Sequence, residues 1–482
     1  MRRLAIVIAA ALGVAVLPAP AALAGPSGGN GGEPTLDETS GRAPKPSGDY
    51  RDTIADAVAD IQTYWADEFP ILYHRKYTPI PKDRIIAARP GVKLPPCGGR
   101  HGTYSDVEGN ASYVGCPGKP FVVYDDFQLF PALDRDFGGL AVPLVLAHEW
   151  GHAVQDQART IDNRIILVEL QADCFAGSWL ARVANGDAPR VSIKSGDLDS
   201  ALAAFLSFRD QIGTTEDNTP NAHGSGFDRT SAFQQGFDEG ADACAPYFDS
   251  PPVIVEIPFT DEQEAASGGN VPADEVIPDA VDMLNDYYSQ VEPAYVPKSV
   301  DDIYSFDPDK KRDLPSCGGT VAEAKDVDNR VFYCAEDGNF GFDGPYLQHV
   351  YDDIGDFGVA ALVANPFATY VQIIQQFPGV DTAEDNAVLG ADCYTGGFAA
   401  ALFRGVLLVD PATNDPKFTL SPGDLDEAIS AYVDYTHAAT ARGADPRDLL
   451  DVTFVRLRAF RDGFLNGYQT CSSYGTLAQP SG

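Results

Sequence analysis

The sequence repeats itself, and this repetition constrains the fold more than any other feature. Three pairs of segments match in the same order along the chain: LPPCGG (94–99) with LPSCGG (314–319), QADCFAG (171–177) with GADCYTG (390–396), and GDLDSALAAF (196–205) with GDLDEAISAY (423–432). A constant offset of 227 then relates the positions from Arg229 to Tyr247 to those from Arg456 to Tyr474. We also align the YDD tripeptides that begin at Tyr124 and Tyr351. Matches at a fixed spacing predict duplication of one fold, and therefore two homologous modules in tandem.

The remaining segments differ from these modules in composition. Residues 1–24 contain two arginines, an apolar run and a small-residue ending at Ala24, which predicts a secretory signal peptide. That run is short for a membrane span and is broken by Pro18 and Pro20, so we expect no membrane span. The expected domains are a signal peptide (1–24), a flexible leader (25–48), a first module (49–250), a linker (251–275) and a second module (276–475).

Charge and cysteine content narrow the possible partners and the compartment. The formal net charge is −36, so a nucleic acid or an anionic membrane would be repelled. Eight cysteines in a chain with an export signal favour four disulfides over thiolate metal sites. Their repeated placement suggests four pairs: Cys97 with Cys116, Cys174 with Cys244, Cys317 with Cys334, and Cys393 with Cys471.

Apolar residues recur at steps of three and four in most long segments, which indicates amphipathic helices. In the first module this pattern predicts helices over 50–69, 141–157, 161–185, 197–209 and 230–243. Strand signals are confined to short pieces such as Phe121 to Asp126. The predicted fold class is mainly α (α+β), with two helical modules that each contain a few short strands and two disulfides.

The helix over 141–157 contains the sequence HEWGH. His148 and His152 are four residues apart, so both imidazoles lie on one face and can reach a single ion. Glu149 lies beside that face, where it can reach a water held by the metal. Catalytic zinc needs a third protein ligand, and Glu169 on the next predicted helix can supply it. Asp173, one turn further on, could accept a hydrogen bond from a ligand imidazole.

The second module provides an internal control for these assignments. Two histidines on a helix often have no metal, and Glu169 could be a solvated carboxylate. In the aligned second copy, however, the proposed chemical positions have other side chains: Asn365, Pro366, Thr369 and Val388 stand opposite His148, Glu149, His152 and Glu169. Leu450 stands opposite His223, a further candidate in the segment His223-Gly224-Ser225. Joint loss favours a shared function and one Zn²⁺, in the first module only. Asp173 is matched by Asp392, so it could instead have a structural role in both copies.

The paired motifs resemble those of the bacterial neutral zinc metallopeptidases of the gluzincin type. Their signature is similar to H-E-x-G-H-x-V-Q followed by E-x-Q-A-D-C-[FY]-A-G, and the resemblance covers residues 50–247. It implies that His148, His152 and Glu169 hold zinc and that Glu149 is the general base. A matching HGS segment at His223 implies that this histidine stabilises the oxyanion. The connection between the two motifs is shorter here than in many relatives.

The function expected from these features is that of an exported zinc-dependent metallopeptidase. Peptide bonds in a peptide or protein substrate would be hydrolysed by a zinc-activated water, with Glu149 as general base. The mature protein would be secreted or associated with the cell envelope. The alternative is a noncatalytic exported binding or structural protein on the same scaffold. The sequence does not specify the oligomeric state or the role of the second module.

Overall fold

The computed structural model describes residues 50–160, 164–193, 196–219, 222–380, 385–409, 417–441 and 452–476. The expected signal peptide and leader, residues 1–48, and Leu450 lie outside this range. The chain divides into two compact units. One consists of the described residues of Met1–Phe208 together with Ala232–Pro251, and the other of those of Arg209–Ser231 together with Pro252–Gly482. The expected domain boundaries stay predictions.

The elements between residues 50 and 244 are mainly helices, with one small three-stranded sheet and one separate pair of strands. The elements in chain order are α1 (Tyr50–Tyr73), β1 (Ile85–Ala88), β2 (Pro96–Cys97), β3 (Arg100–His101), β4 (Ala111–Val114), β5 (Phe121–Asp125), α2 (Leu129–Phe137), α3 (Ala141–Ala158), α4 (Ile165–Ala184), α5 (Asp197–Ser207), α6 (Gly226–Glu239) and α7 (Ala241–Cys244). Helices α3 and α4 are buried along most of their length. The mainly helical class expected from the sequence is therefore confirmed.

The small sheet has the strand order β1-β5-β4. Strand β1 is parallel to β5, whereas β4 is antiparallel to it, with Tyr113 opposite Val122. Strand β4 therefore lies at an edge of the sheet, and it packs against α3. A separate antiparallel pair joins β2 and β3. This arrangement places one strand edge beside the helix that carries HEWGH.

Residues 262–476 contain a similar succession of elements. They are α8 (Glu262–Ser267), α9 (Ala273–Val291), β6 (Ile303–Phe306), β7 (Ser316–Cys317), β8 (Thr320–Val321), α10 (Ala324–Val327), β9 (Val331–Cys334), β10 (Asn339–Asp343), α11 (Gly344–Asp353), α12 (Asp356–Ile374), α13 (Asp385–Phe403), α14 (Asp424–Ala441) and α15 (Val452–Asn466). The strand order β6-β10-β9 again has one parallel and one antiparallel pairing. This order agrees with a duplication, which stays a prediction.

Glycines allow two pairs of helices to touch at the backbone. A Cβ atom at Gly177 on α4 would lie 1.9 Å from the carbonyl oxygen of Phe233 on α6. One at Gly236 would lie 1.8 Å from a carbonyl oxygen of α4. The matched glycines Gly396 on α13 and Gly463 on α15 each face a carbonyl oxygen at 1.8 Å. No larger residue fits at these crossings unless the helices move apart.

Disulfides close two loops in each half of the chain. The pairs are those suggested by the repeat: Cys97–Cys116, Cys174–Cys244, Cys317–Cys334 and Cys393–Cys471. The second and fourth bonds join residues 70 and 78 positions apart. The second ties α4 to the end of α7, and the fourth ties α13 to the segment that follows α15.

One detail of the repeat alignment is wrong. Tyr124 lies on strand β5, whereas Tyr351 lies on helix α11, so the two YDD tripeptides do not correspond. The residue that matches Asp125 is Asp343 at the end of β10. The Asp125 carboxylate accepts the backbone N–H of Gly109 at 2.8 Å, and the Asp343 carboxylate accepts that of Asn329 at 2.7 Å. Each donor lies in the loop just before β4 or β9. A tripeptide is too short to fix a register that strand pairing determines.

Helix α12 is the one helix in the described part of the chain whose length and composition would allow it to cross a membrane. Its apolar window is 72% buried within the protein. Burial of this extent is typical of a core helix, in agreement with the expectation of no membrane span.

Candidate metal centre

Helices α3 and α4 bring three proposed ligands together in the interior. His148, His152 and Glu169 are 3%, 5% and 1% exposed. The two helices approach closely at Gly151, where a Cβ atom would lie 2.8 Å from the Cα atom of Ala172. The glycine inside HEWGH therefore lets α4 bring Glu169 against the face that carries both histidines.

The potential ligand atoms face one another. His148 Nε2 lies 3.1 Å from His152 Nε2 and 3.2 Å from a carboxylate oxygen of Glu169. The other oxygen of Glu169 is 3.6 Å from His152 Nε2. Each of the three residues thus offers one ligand atom within 4.8 Å of the other two.

Hydrogen bonds on the far side of each imidazole fix its tautomer. His148 Nδ1 lies 2.6 Å from a carboxylate oxygen of Asp173, and His152 Nδ1 lies 2.9 Å from the amide oxygen of Gln155. Both oxygens can only accept, so each Nδ1 carries the hydrogen and each Nε2 of a neutral ring presents a lone pair. Sequence reasoning did not assign a role to Gln155, although its place three residues after His152 on one helix could have indicated it.

These residues fit a zinc ion. Neither oxygen of buried Glu169 has a hydrogen-bond partner among the described residues, although His148 Nε2 and His152 Nε2 lie 3.2 and 3.6 Å away. Imidazole and carboxylate groups that converge in the interior in this way are stabilised by a shared cation. Zn–N bonds of about 2.0–2.1 Å in a tetrahedron place two nitrogens about 3.3 Å apart. The observed 3.1 Å is close to that separation.

The electrostatics of the cluster favour bound positive charge. Burial alone would raise the pKa of Glu169, but His152 and His148 hold it well below its usual range. Burial would lower the pKa of His148, but the carboxylates of Asp173 and Glu169 raise it to about 10. Without metal the cluster thus keeps a proton on His148, and a metal ion would replace that proton.

Glu149 lies next to this cluster but is not one of its converging groups. Its side chain is fully buried, and burial raises the pKa of its carboxyl group. One carboxylate oxygen accepts the backbone N–H of Tyr113 at 2.7 Å. The other has no hydrogen-bond partner within the described residues. Such a carboxylate has one oxygen held in place and one available to accept a proton.

His223 lies in the segment 209–231, which groups with the second unit. Its ring Nδ1 lies 3.3 Å from Asp210, whose carboxylate also accepts the backbone N–H groups of His223 and Gly224 at 2.5 and 2.9 Å. The carboxylate therefore fixes the loop that carries this histidine. The oxyanion role of His223 stays a prediction.

The second half has polar contacts similar to those that surround the candidate metal ligands of the first half, but it lacks the ligand side chains themselves. Asn365, which aligns with His148, donates to Asp392 at 2.8 Å, and His148 Nδ1 makes the corresponding contact with Asp173. Asp392 also accepts two hydrogen bonds from Arg456 at 2.7 and 2.8 Å. Gln372 donates to a backbone carbonyl of α13 at 2.8 Å, as Gln155 donates to one of α4 at 2.7 Å. These polar contacts support the helices even where no histidine is present.

Comparisons with known proteins identify the family of the chain. The model of the family described as "Putative neutral zinc metallopeptidase" matches residues 4–248, and the chain belongs to this family. The "Uncharacterized protein YpfJ" of Escherichia coli (strain K12) is 33% identical over 137 residues, 24% of this chain and 45% of that protein. The "Uncharacterized protein Rv2575" of Mycobacterium tuberculosis (strain H37Rv) is 30% identical over 142 residues, 24% and 48% of the two chains. The matches span less than half the length of these curated relatives. No solved structure matches this chain.

Proposed function

We propose that the protein is an exported zinc-dependent metallopeptidase that hydrolyses peptide bonds in a peptide or protein substrate. The observation that carries this proposal is the convergence of His148, His152 and Glu169, with both imidazoles fixed from behind by hydrogen bonds. Two imidazoles and one carboxylate are the protein ligands of a catalytic zinc site, which leaves a fourth position for water or substrate. Asp173 and Gln155 would keep the two rings oriented.

Zinc bound there would supply a Lewis acid that lowers the pKa of water and polarises a substrate carbonyl. Glu149 would provide the base, because its free oxygen can take the proton of the attacking water and pass it to the leaving amine. Both transfers need a carboxylate that can bind the proton and release it again, with one oxygen held in a fixed orientation. His223 would share the negative charge on the carbonyl oxygen.

The remaining parts of the proposal concern location and the second module. Four disulfides among the described residues support an oxidising, extracytoplasmic compartment, as does the expected signal peptide. The second module would bind no zinc, because Asn365, Pro366 and Thr369 offer no imidazole or carboxylate at the matched positions of α12.

Proteolysis and metal content together test the proposal. The purified mature protein should contain one zinc per chain, cleave an unfolded polypeptide such as casein, and lose this activity to a chelator. Glu149→Gln should keep the zinc and lose at least about 10³-fold in kcat, because a neutral amide cannot accept the proton. The exposed carboxylate of Glu239 on α6 offers a matched control, and Glu239→Gln should keep full activity.

The possible outcomes distinguish an active peptidase from a noncatalytic protein on the same scaffold. Activity that persists in Glu149→Gln would remove the assigned base. Bound zinc with no cleavage of any polypeptide by the wild type would favour the noncatalytic alternative. Absence of zinc from protein purified without chelator would contradict the metal site itself.

A further inference from the structure

Tyr113 contacts helix α3 at two separate points. Its backbone N–H donates to Glu149 at 2.7 Å, and its phenol donates to a carboxylate oxygen of Asp156 at 2.6 Å. The residue is 5% exposed, so water does not compete freely for either bond. One residue of the edge strand β4 is therefore fixed both to the proposed base and to a second carboxylate on the same helix.

The spacing along α3 makes this double contact possible. Asp156 follows Glu149 by seven residues, which is about two helical turns and returns to the same face. The main chain of β4 meets the helix at Glu149, while the long phenol side chain reaches Asp156. Fixing the side chain prevents β4 from sliding along α3, because a shift would stretch the 2.6 Å bond.

The contact of the Tyr113 backbone N–H with Glu149 determines how the free carboxylate oxygen of Glu149 is oriented. The Tyr113 N–H occupies one carboxylate oxygen of Glu149, and the other has no hydrogen-bond partner among the described residues. Without the backbone donor, the carboxylate could rotate about its last torsion, and the direction of its unbonded oxygen would no longer be fixed. Misplacement of a catalytic group by about 1 Å can lower the rate about 100-fold.

The second half shows that the fold does not need this anchor. Strand β9 keeps the equivalent tyrosine, Tyr333, in the same antiparallel register, opposite Phe340. Pro366 stands where Glu149 does, and Ile373 replaces Asp156. The phenol–carboxylate pair is thus lost together with the base, although the strand pairing and the contact of β9 with α12 persist.

We propose that the hydrogen bond between Tyr113 and Asp156 is a positioning device that holds the Tyr113 N–H on the Glu149 carboxylate. This inference rests on the proposed peptidase function for its effect on catalysis, but the geometry itself can be measured without activity. Tyr113 and Asp156 are positioning residues, since they act through Glu149.

Amide hydrogen exchange at Tyr113 tests the geometry in the full mature chain, with and without zinc. Tyr113→Phe and Asp156→Ala should each speed exchange of this amide roughly tenfold, whereas Asp156→Asn, which keeps an acceptor, should not. Tyr474→Phe is a matched control because Tyr474 is 7% exposed and donates to Asp462 at 2.7 Å in the other unit. It should leave the Tyr113 amide unchanged.

Kinetics on casein test the consequence. Tyr113→Phe and Asp156→Ala should lower kcat roughly 10- to 100-fold with KM within about twofold and zinc content unchanged. The double variant should be no worse than either single one, since both remove the same bond. Asp156→Asn should recover activity to within about threefold of wild type, and Tyr474→Phe should match wild type.

Each outcome has a defined meaning. Unchanged exchange at Tyr113 in both single variants would overturn the positioning device, even in an active peptidase. Wild-type kcat in Tyr113→Phe, or effects that multiply in the double variant, would overturn it as well. Faster exchange in a protein that cleaves nothing would support the device and reject the peptidase function.

Discussion

Replacing Gln155 by alanine should weaken zinc binding without touching a ligand. Its amide oxygen accepts from His152 Nδ1 at 2.9 Å, and its amide nitrogen donates to the carbonyl oxygen of Val168 at 2.7 Å. The side chain is 1% exposed, so bulk water does not replace it easily. Gln155→Ala frees the His152 ring to rotate and to change tautomer, which lowers its readiness as a ligand.

The expected magnitude has two parts. Loss of a hydrogen-bonding partner behind a metal ligand typically costs 10- to 100-fold in affinity, which is about 1.4–2.7 kcal/mol of binding free energy. Loss of the hydrogen bond to the Val168 carbonyl adds an unfolding cost of about 0.5–1.5 kcal/mol, the net contribution of one hydrogen bond, because this carbonyl lies within α4 and keeps its place in the helix. Only the first part concerns zinc, so the two must be measured separately.

The chain supplies the control for that separation. Gln372 is also 1% exposed and donates to the carbonyl oxygen of Ala387 at 2.8 Å, but Thr369 stands where His152 would be. Gln372→Ala should lower the free energy of unfolding in urea about as much as Gln155→Ala. Zinc affinity, measured by competition with a chromogenic chelator, should fall only in Gln155→Ala. Equal zinc affinities in both variants and the wild type would refute the reasoning.

Three other predictions test the fold and the charge of the centre. Gly177→Ala should lower the free energy of unfolding in urea by about 1–3 kcal/mol or more, because its Cβ would lie 1.9 Å from a backbone oxygen. Gly139→Ala should be nearly neutral, since no atom lies within 4 Å of its Cβ, and equal unfolding midpoints of the two variants would contradict the close crossing. The pKa of His148 is raised to about 10 without metal, and that of His152 is raised as well, so zinc affinity should rise as pH increases between about 7 and 9. Calorimetry in two buffers should show release of at least about one proton, and pH-independent affinity would contradict this. Replacing Cys174 and Cys244 by serine opens a loop of 70 residues and should cost about 4 kcal/mol in unfolding, and a loss below about 1 kcal/mol would contradict a role for the bond in stability.

Local rules allowed the sequence to predict much of the candidate site. The face shared by His148 and His152 follows from helix geometry alone, because residues four apart lie one turn apart. Internal repetition added information that a single module lacks. It suggested all four disulfide pairs found in the structure.

Sequence reasoning could not find the contacts that depend on main-chain atoms or on distant segments. Nothing in the amino-acid sequence around Tyr113 indicates that its backbone N–H donates to Glu149, because every residue except proline has such a donor. The role of Gln155 also depends on which way its amide points, and a carbonyl of α4 decides that. The YDD alignment failed for the same reason, since strand pairing sets the register.

The sequence by itself thus predicted the helices of the first half, the order of the candidate ligand residues and the four disulfide pairs. These properties follow from periodicity, spacing and comparison of one half with the other. Only the tertiary structure decided the distances among His148, His152 and Glu169, the tautomers of the two rings and the free oxygen of Glu149. Those depend on how closely α3, α4 and β4 pack, and glycine contacts and hydrogen bonds between distant segments set that closeness.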